Sequence, residues 1–335
     1  MMVPFLVILG ATLIGSLFLY LFPTFLANFL PEQNLFRKYG GSPHTRSLWA
    51  VVTGGSNGIG LEYCKHAASQ GFNLLIIALP DDCLAAAAST LRTEFPGVLV
   101  ETLGVNFRDT SLCFGGTLGE RLRTWIKDGH EVALLALNAG VCLFEDAAWG
   151  TPGQLDMLHI NVLANMHVFT ALYPTICQRD TAGRRGGVLF TSSCMGCIPD
   201  PYGAGYAASK AYLASYALSL GPEAALHRVD VLALCPGFVR GTHFTRSLPK
   251  GGLAVLAALR LISQTPSQVA SAAWRALGRW GVYTCETGLF GWLSHLCVQY
   301  AGGWLLAGAM RAAIPWTPDY RRHIRDSPER CQRSR

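Results

Sequence analysis

The chain is expected to fold as a doubly wound α/β domain around a mainly parallel sheet, and two features of its 335 residues predict this. Six short apolar runs recur between residues 48 and 235, separated by stretches long enough to be helical. Runs that are apolar on both faces belong to strands buried under two helical layers, the arrangement that right-handed crossovers build. A glycine-rich turn follows the first run directly. Composition adds a departure from a soluble domain. Half of the residues are hydrophobic and 14% are charged, against roughly 25% charged in typical soluble domains. The surplus apolar surface predicts membrane-seeking additions, an N-terminal transmembrane anchor and an apolar C-terminal extension.

Taken in order, the elements divide the chain into five parts. Residues 2–30 carry no charge, which exceeds the roughly 20 apolar residues needed to cross a bilayer. A signal peptide is the competing reading, but there is no basic n-region and the stretch is too long for an h-region. An uncleaved anchor over 1–31 is therefore expected. Glu32, Arg37, Lys38 and Arg46 follow in a linker over 32–47. Their basic excess places that side in the cytosol by the positive-inside tendency. The strands are LWAVVT (48–53), NLLIIAL (73–79), VLVETLGV (98–105), VALLAL (132–137), GVLFTS (187–192) and VDVLALC (229–235), within a catalytic domain over 48–248.

Beyond Pro249 the regularity fades into a segment over 249–316 expected to cover the substrate and touch the membrane. GGLAVLAALRLI is mildly amphipathic, and Thr265 and Ser267 around Pro266 are candidate helix caps. Residues 288–310 are long enough to span a bilayer but contain His295 and Gln299, so a covering or contacting segment is favoured over a second span. The tail over 317–335 carries six arginines against three acids, suited to anionic headgroups or to solvent. Net charge is +6 without a recognisable nucleic-acid module, so no nucleic-acid partner is expected. Eleven dispersed cysteines give no disulfide framework. Cys194 and Cys197 form a lone CxxC, read as a structural loop ahead of a redox or metal role, and no metal site is expected.

Thr53-Gly54-Gly55-Ser56-Asn57-Gly58-Ile59-Gly60 joins the first strand to a helix-compatible run. Glycines allow a tight turn and let backbone approach a pyrophosphate at a helix N-terminus. Gly54, Ser56, Asn57, Gly58, Ile59 and Gly60 are therefore candidate cofactor contacts. At the second strand's end stand Ala78 and Leu79, followed by Pro80, Asp81 and Asp82. No acid is placed there for a ribose 2′-hydroxyl and no base for a 2′-phosphate. Asp81 and Asp82 read more simply as helix caps. Asn138, Ala139 and Gly140 put small residues where backbone passes close to a cofactor, and Asn106 after the third strand is placed to reach an adenine ring.

Ser193, Tyr206 and Lys210 are spaced by thirteen and four residues. Four residues is one helical turn, so Tyr206 and Lys210 share a helix face beginning near Gly205. Ketone reduction develops negative charge on oxygen and needs a proton and a hydrogen-bond donor. Tyr206 is the candidate acid. Its phenol, near pKa 10 when free, needs the cation of Lys210 to favour the phenolate. Ser193 is the candidate donor to the substrate oxygen. Each residue alone has an ordinary structural reading, as capping, packing or helix surface; their joint occurrence is what points to catalysis. Tyr202 and Tyr212 fall outside the spacing and read as packing residues. The intervening CMGCIPDPYGAG reads as substrate wall.

Together these motifs resemble the classical short-chain dehydrogenase/reductase family over roughly Ser47 to Thr245: TGGSNGIG, NAG, Asn161, the Ser193, Tyr206 and Lys210 set, and Pro236-Gly237 after the sixth strand. The resemblance implies a Rossmann-type fold, a nicotinamide cofactor held also by Tyr206, Lys210, Pro236, Gly237 and Val239, and an Asn161 that positions a water linking Lys210 to solvent. It implies NADP(H) by analogy, with NAD(H) left open. The chain departs from the family at Leu137, where a second asparagine is common, and at Thr242, one residue later than the usual position. The anchor, LFRKYG and TPSQVASAAWRALGRWGVYTCETG are similar to the membrane-bound branch that contains microsomal 17β-hydroxysteroid dehydrogenases and very-long-chain 3-oxoacyl-CoA reductases.

The expected activity is interconversion of a ketone and a secondary alcohol on a lipophilic substrate, a 3-oxoacyl-CoA or a 17-ketosteroid, with a 3-oxosphinganine as the alternative. The competing class is a catalytically silent scaffold on a lipid-associated membrane. The expected partners are the substrate, a membrane and a second copy of the chain. The expected site is the endoplasmic reticulum membrane with the domain facing the cytosol, or a lipid droplet if the first apolar stretch bends about Pro23.

Overall fold

A computed structural model describes residues 10–12, 15, 28–42, 48–111, 116–144, 153–242, 262–279 and 281–316. Most of the expected anchor, residues 251–261 of the amphipathic stretch and the basic tail lie outside the described residues. Among the described residues no helix is long and apolar enough to cross a membrane.

Seven strands form one sheet in the order β3-β2-β1-β4-β5-β6-β7, and every neighbouring pair is parallel. They are β1 (Leu48–Thr53), β2 (Asn73–Ala78), β3 (Val100–Gly104), β4 (Glu131–Leu137), β5 (Gly186–Thr191), β6 (Val229–Pro236) and β7 (Thr284–Thr287). Strands β1, β2, β5 and β6 are buried at every position, as parallel strands covered on both sides must be. The six expected strands are present within two residues of their expected ends. β7, reading TCET, carried no apolar run and was not anticipated.

The helices are α1 (Leu35–Lys38), α2 (Gly58–Gln70), α3 (Asp82–Glu94), α4 (Thr117–Lys127), α5 (Gly153–Leu158), α6 (Asn165–Gln178), α7 (Ala204–Ala225), α8 (Pro266–Ala276), α9 (Gly288–Ala301) and α10 (Gly303–Ala313). A π-helical segment, His159–Ala164, joins α5 to α6. One core cluster packs α1, α2, α3 and α8 on one sheet face. The other packs α4, α6 and α7 on the opposite face.

Local chemistry accounts for the ends. Asp81 caps α3 by accepting from the Leu84 amide at 3.0 Å. Thr265 caps α8 in a full capping box with Gln268, and Pro266 fills the first turn. The apolar run at 288–310 is two helices, broken at Gly302 with φ of 81°. The break shortens each piece below a bilayer span, against the second-span alternative.

The segment before β1 is packed onto the domain. Gln33 donates to the carbonyls of Arg275 and Leu277 at 3.1 and 2.8 Å, at the C-terminal end of α8. Gln70 of α2 accepts from the Leu35 amide at 2.8 Å and donates to the Gln33 carbonyl at 2.9 Å. Buried Asp230 of β6 pairs with Lys38 at 2.9 Å and accepts from the Tyr39 hydroxyl at 3.2 Å.

Candidate active site

The order reverses between β1 and β4, and the crevice outside the carboxyl ends of strands at such a switch point is where ligands bind in open α/β sheets. A cavity of about 460 Å³ lies there. Gly54 at φ 64° and Gly58 at φ 55° shape the turn after β1 in a region that favours glycine. A Cβ on Gly54 would stand 2.9 Å from the Ala139 backbone, so the turn and the end of β4 touch only because that atom is missing.

A buried network joins these two strand ends. The Thr53 hydroxyl donates to Asn165 Oδ1 at 2.7 Å and accepts from the amides of Asn138 and Ala139 at 2.8 and 3.0 Å. Asn165 donates to the Ala139 carbonyl at 2.8 Å and to the Ile160 and Asn161 carbonyls in the π segment at 3.1 Å. Neither Thr53 nor Asn165 is marked as a site residue by any motif or spacing in the sequence. Their 112-residue separation hides the pair, and Thr53 was visible only as the first letter of the glycine motif.

Ser193 follows β5 and caps a short 3-10 turn, Cys194–Gly196. Its hydroxyl also hydrogen-bonds the Tyr206 phenol. Neighbouring Ser192 donates to the Lys210 carbonyl at 2.6 Å, which ties β5 to α7. Lys210 Nζ donates to the Thr191 carbonyl at 2.8 Å and stands 5.7 Å from the Tyr206 ring centre. The strand and helix that the spacing required side by side are so arranged.

Burial governs the electrostatics. It lowers Lys210 to about 8. It raises the Tyr206 phenol above its ordinary value, with the Ser193 hydrogen bond acting the other way. The depression of Tyr206 expected from Lys210 is therefore opposed by desolvation, which disfavours the charged form of both groups.

Asn161 is fully buried. Its amide accepts from the Val141 N–H at 2.7 Å and donates to the Val141 carbonyl and to Ser209 Oγ, both at 2.9 Å. It thus fastens the loop after β4 to α7.

The cavity brings together Gly54, Asn57, Gly58, Ile59, Asn138, Ala139, Gly140, Ser193, Tyr206, Lys210, Pro236, Gly237 and Val239. Ser56, Gly60, Asn106 and Asn161 do not line it. Gly60 is buried beneath the turn, where a Cβ would collide with the Gly54 carbonyl. Asn106 closes a local turn by accepting from the Arg108 amide at 3.0 Å. Val239 is held by a bridge to Gln264. Thr242 also lines the cavity and would lie 3.3 Å from a Cβ on Gly58, a proximity its shifted spacing did not suggest. From the intervening stretch, Cys194, Met195 and Asp200 form wall. The thiols of Cys194 and Cys197 are free. Among the described residues no group of His, Cys, Asp and Glu could hold a metal.

The model of the short chain dehydrogenase family matches residues 48–251. The chain belongs to the short-chain dehydrogenase family. It is an oxidoreductase acting on CH–OH groups, in the branch of curated relatives named very-long-chain 3-oxoacyl-CoA reductase. A very-long-chain 3-oxoacyl-CoA reductase of Mycosarcoma maydis is 28% identical over 89% of this chain and 83% of its own. One from Laccaria bicolor is 30% identical over 70% and 67%. Among solved structures, a 7β-hydroxysteroid dehydrogenase superposes with a TM-score of 0.66 at 22% identity, over 80% of this chain and 95% of its own. The 3-ketoacyl-(acyl-carrier-protein) reductase of Brucella melitensis, complexed with NADH, gives 0.60 at 19% identity over 72% and 96%. These two likenesses are of fold.

Proposed function

We propose that the chain is a membrane-anchored, NADPH-preferring reductase that interconverts a ketone and a secondary alcohol on a lipophilic substrate. One observation carries the reading: Ser193, Tyr206 and Lys210 share a cavity with the glycine turn, and Ser193 bonds the phenol. A nicotinamide dinucleotide fits the residues present. Gly54, Asn57, Gly58 and Ile59 offer close backbone and the N-terminus of α2 to a pyrophosphate, and Asn138, Ala139 and Gly140 line the far side. The chemistry supplied by that cofactor when bound is hydride transfer to the carbonyl carbon.

Tyr206 gives its proton to the carbonyl oxygen as negative charge develops there. Ser193 donates a hydrogen bond to the same oxygen. Lys210, buried beside the ring, favours the phenolate left behind, and its charge is largely kept below about pH 8. Asn161 holds the loop and helix that border Lys210, which supports the relay role its family position implies.

The preference for NADPH rests on the family analogy and on the end of β2, where Ala78 and Leu79 give no acid to a 2′-hydroxyl. The relatives' names support a 3-oxoacyl-CoA as substrate. A 17-ketosteroid and a 3-oxosphinganine are the other lipophilic ketones the reading admits.

Membrane attachment is supported by the uncharged stretch at 2–30 and by where it ends. The Asn28 side chain donates to the Glu286 carbonyl at 3.1 Å, and Trp292 of α9 donates to the same oxygen at 3.0 Å. The segments meeting there carry exposed Phe29, Leu289, Leu293, Trp304 and Leu305, an apolar surface suited to lipid. α9 also contributes Phe290 to the cavity. We assign the anchor to the endoplasmic reticulum with the domain in the cytosol.

The test is NADPH oxidation by the purified chain in detergent, offered each of the three ketones. Consumption with at least one is expected; none with any would refute the substrate class. Tryptophan fluorescence titrated with NADPH and NADH reads the cofactor. Saturable binding, tighter for NADPH, is expected, and its absence for both would favour a silent scaffold.

A further inference from the structure

Ketone reduction gives no role to the two thiols of the Cys194-Met195-Gly196-Cys197 turn, which follows Ser193 directly. The turn is 3-10 helical, closed by the Gly196 amide on the Ser193 carbonyl and the Cys197 amide on the Cys194 carbonyl, both at 3.0 Å. Three residues per turn bring side chains three positions apart into line. A hydrogen-bonded turn also holds its end Cα atoms within about 7 Å, and a disulfide spans roughly 4.4–6.8 Å between Cα atoms. Cys194 and Cys197 occupy those end positions, near enough to act on one another electrostatically, and both are thiols.

The two thiols stand in different surroundings. Cys194 is buried, lines the catalytic cavity and hydrogen-bonds the Ser193 hydroxyl. Burial raises it to about 12, so it stays protonated. Cys197 is partly exposed, and its sulfur lies 4.0 Å from His295 Nδ1 on α9. That nitrogen also donates to the buried Glu286 carboxylate at 2.7 Å. Hydrogen bonds with Cys197 and Glu286 raise His295 to about 10, which makes it a cation at neutral pH. Thiol–disulfide exchange passes negative charge among three sulfurs, and a fixed cation beside the attacking one stabilises it. The accessible thiol is the one so equipped, and the buried thiol stands one turn away to complete the exchange. A Cβ on Gly196 would stand 2.7 Å from the Ala211 amide nitrogen, so the turn is pressed against α7 and cannot slide. A bond across it is therefore taken up at its ends, as Cys194 leaves Ser193 and Cys197 leaves His295.

We infer that Cys194 and Cys197 are a modification site, a reversible disulfide formed by exchange with a glutathione-type disulfide, which displaces Ser193 from its catalytic position. Cys197 attacks one sulfur of the small disulfide and releases the other half as a thiolate. That thiolate takes the Cys194 proton, Cys194 attacks the Cys197 sulfur, and the second half leaves and takes up the proton Cys197 had lost. Two protein thiols are oxidised to one disulfide while one small disulfide is reduced to two thiols. Disulfides of cytosolic proteins are mostly transient links of this kind. The link stands independently of the proposed reduction, and its effect on turnover rests on that reading.

The full chain in detergent is equilibrated in buffers poised from reduced to oxidised glutathione. Remaining thiols are capped with N-ethylmaleimide and linked pairs are mapped by peptide mass. Oxidised buffer should yield a link between Cys194 and Cys197 that dithiothreitol reverses. Reduction of the ketone that wild type turns over should fall by roughly 10-fold in step with the link, the scale of one lost hydrogen bond. Cys197→Ser and Cys197→Ala, each compared with itself in the two buffers, should show no change in rate. No link at any poise, or a link from Cys197 to a different thiol, overturns the inference. So does a full link with an unchanged rate, or a Cys197→Ser rate that falls as far as that of wild type. If no ketone is turned over, the reductase reading fails and the thiol map alone decides. A reversible link between Cys194 and Cys197 then upholds the site, and its absence overturns it.

Discussion

Thr53 shows how much of the site depends on one hydroxyl. It takes two amides from the end of β4 and gives its proton to Asn165, all within the core. Thr53→Val keeps the shape and strands three polar groups, which costs about 1–3 kcal/mol for each left unsatisfied. A clearly lower melting midpoint for the full chain in detergent is expected; an unchanged midpoint would contradict the network. Lys210 gives a second prediction. Burial holds it near 8, so it is charged below that value and neutral above. Loss of the cation removes support for the Tyr206 phenolate, and the reduction rate should fall as pH rises through about 8. A rate flat across that point would separate Lys210 from the proton path. The spacing of Ser193, Tyr206 and Lys210 was legible because one helical turn and one strand end are local geometry. The Thr53 and Asn165 pairing was not, since only the folded sheet brings residues so distant together.

At the scale of elements, β1, β2, β5 and β6 could be read because parallel strands buried on both faces are mostly apolar, and β3 and β4 by the apolar runs they share with them. β7 could not. It is four residues long, two of them threonines and one Glu286, whose buried carboxylate meets His295 of α9 at 2.7 Å. Hydrogen bonds with Cys197 and Glu286 raise His295 from 6.5 to about 10, while burial pulls the other way. Because the folded value lies above the unfolded one, this stabilisation is complete below about pH 6.5 and is lost as pH rises through about 10. His295→Asn should therefore lower the melting midpoint most in mildly acidic buffer and least towards pH 10. A gap independent of pH would show that His295 packs without carrying charge. The break of the C-terminal apolar run at Gly302 was present in the sequence as Gly302-Gly303. The run's overall hydrophobicity outweighed that signal.

Over the whole molecule, the segment from Asn28 to Ser42 fastens the expected anchor to the domain. It meets α8 through Gln33, α2 through Gln70 and β6 through Asp230. Asp230→Asn leaves Lys38 without its carboxylate in a mostly buried setting. Roughly 3 kcal/mol of destabilisation is expected, the low end for breaking a buried pair from one side. An unaffected midpoint would mean the segment is only loosely held. This junction pairs residues about two hundred positions apart, so the sequence displayed it as a linker. The doubly wound layout, by contrast, repeats along the chain and could be read directly.

Tyr206→Phe tests most directly whether Tyr206 is the proton donor of a ketone reductase. The ring and its packing remain while the hydroxyl is removed. Turnover of whichever lipophilic ketone the wild type reduces should fall by roughly 10²- to 10⁴-fold, with NADPH binding preserved. Retained turnover would contradict the assignment.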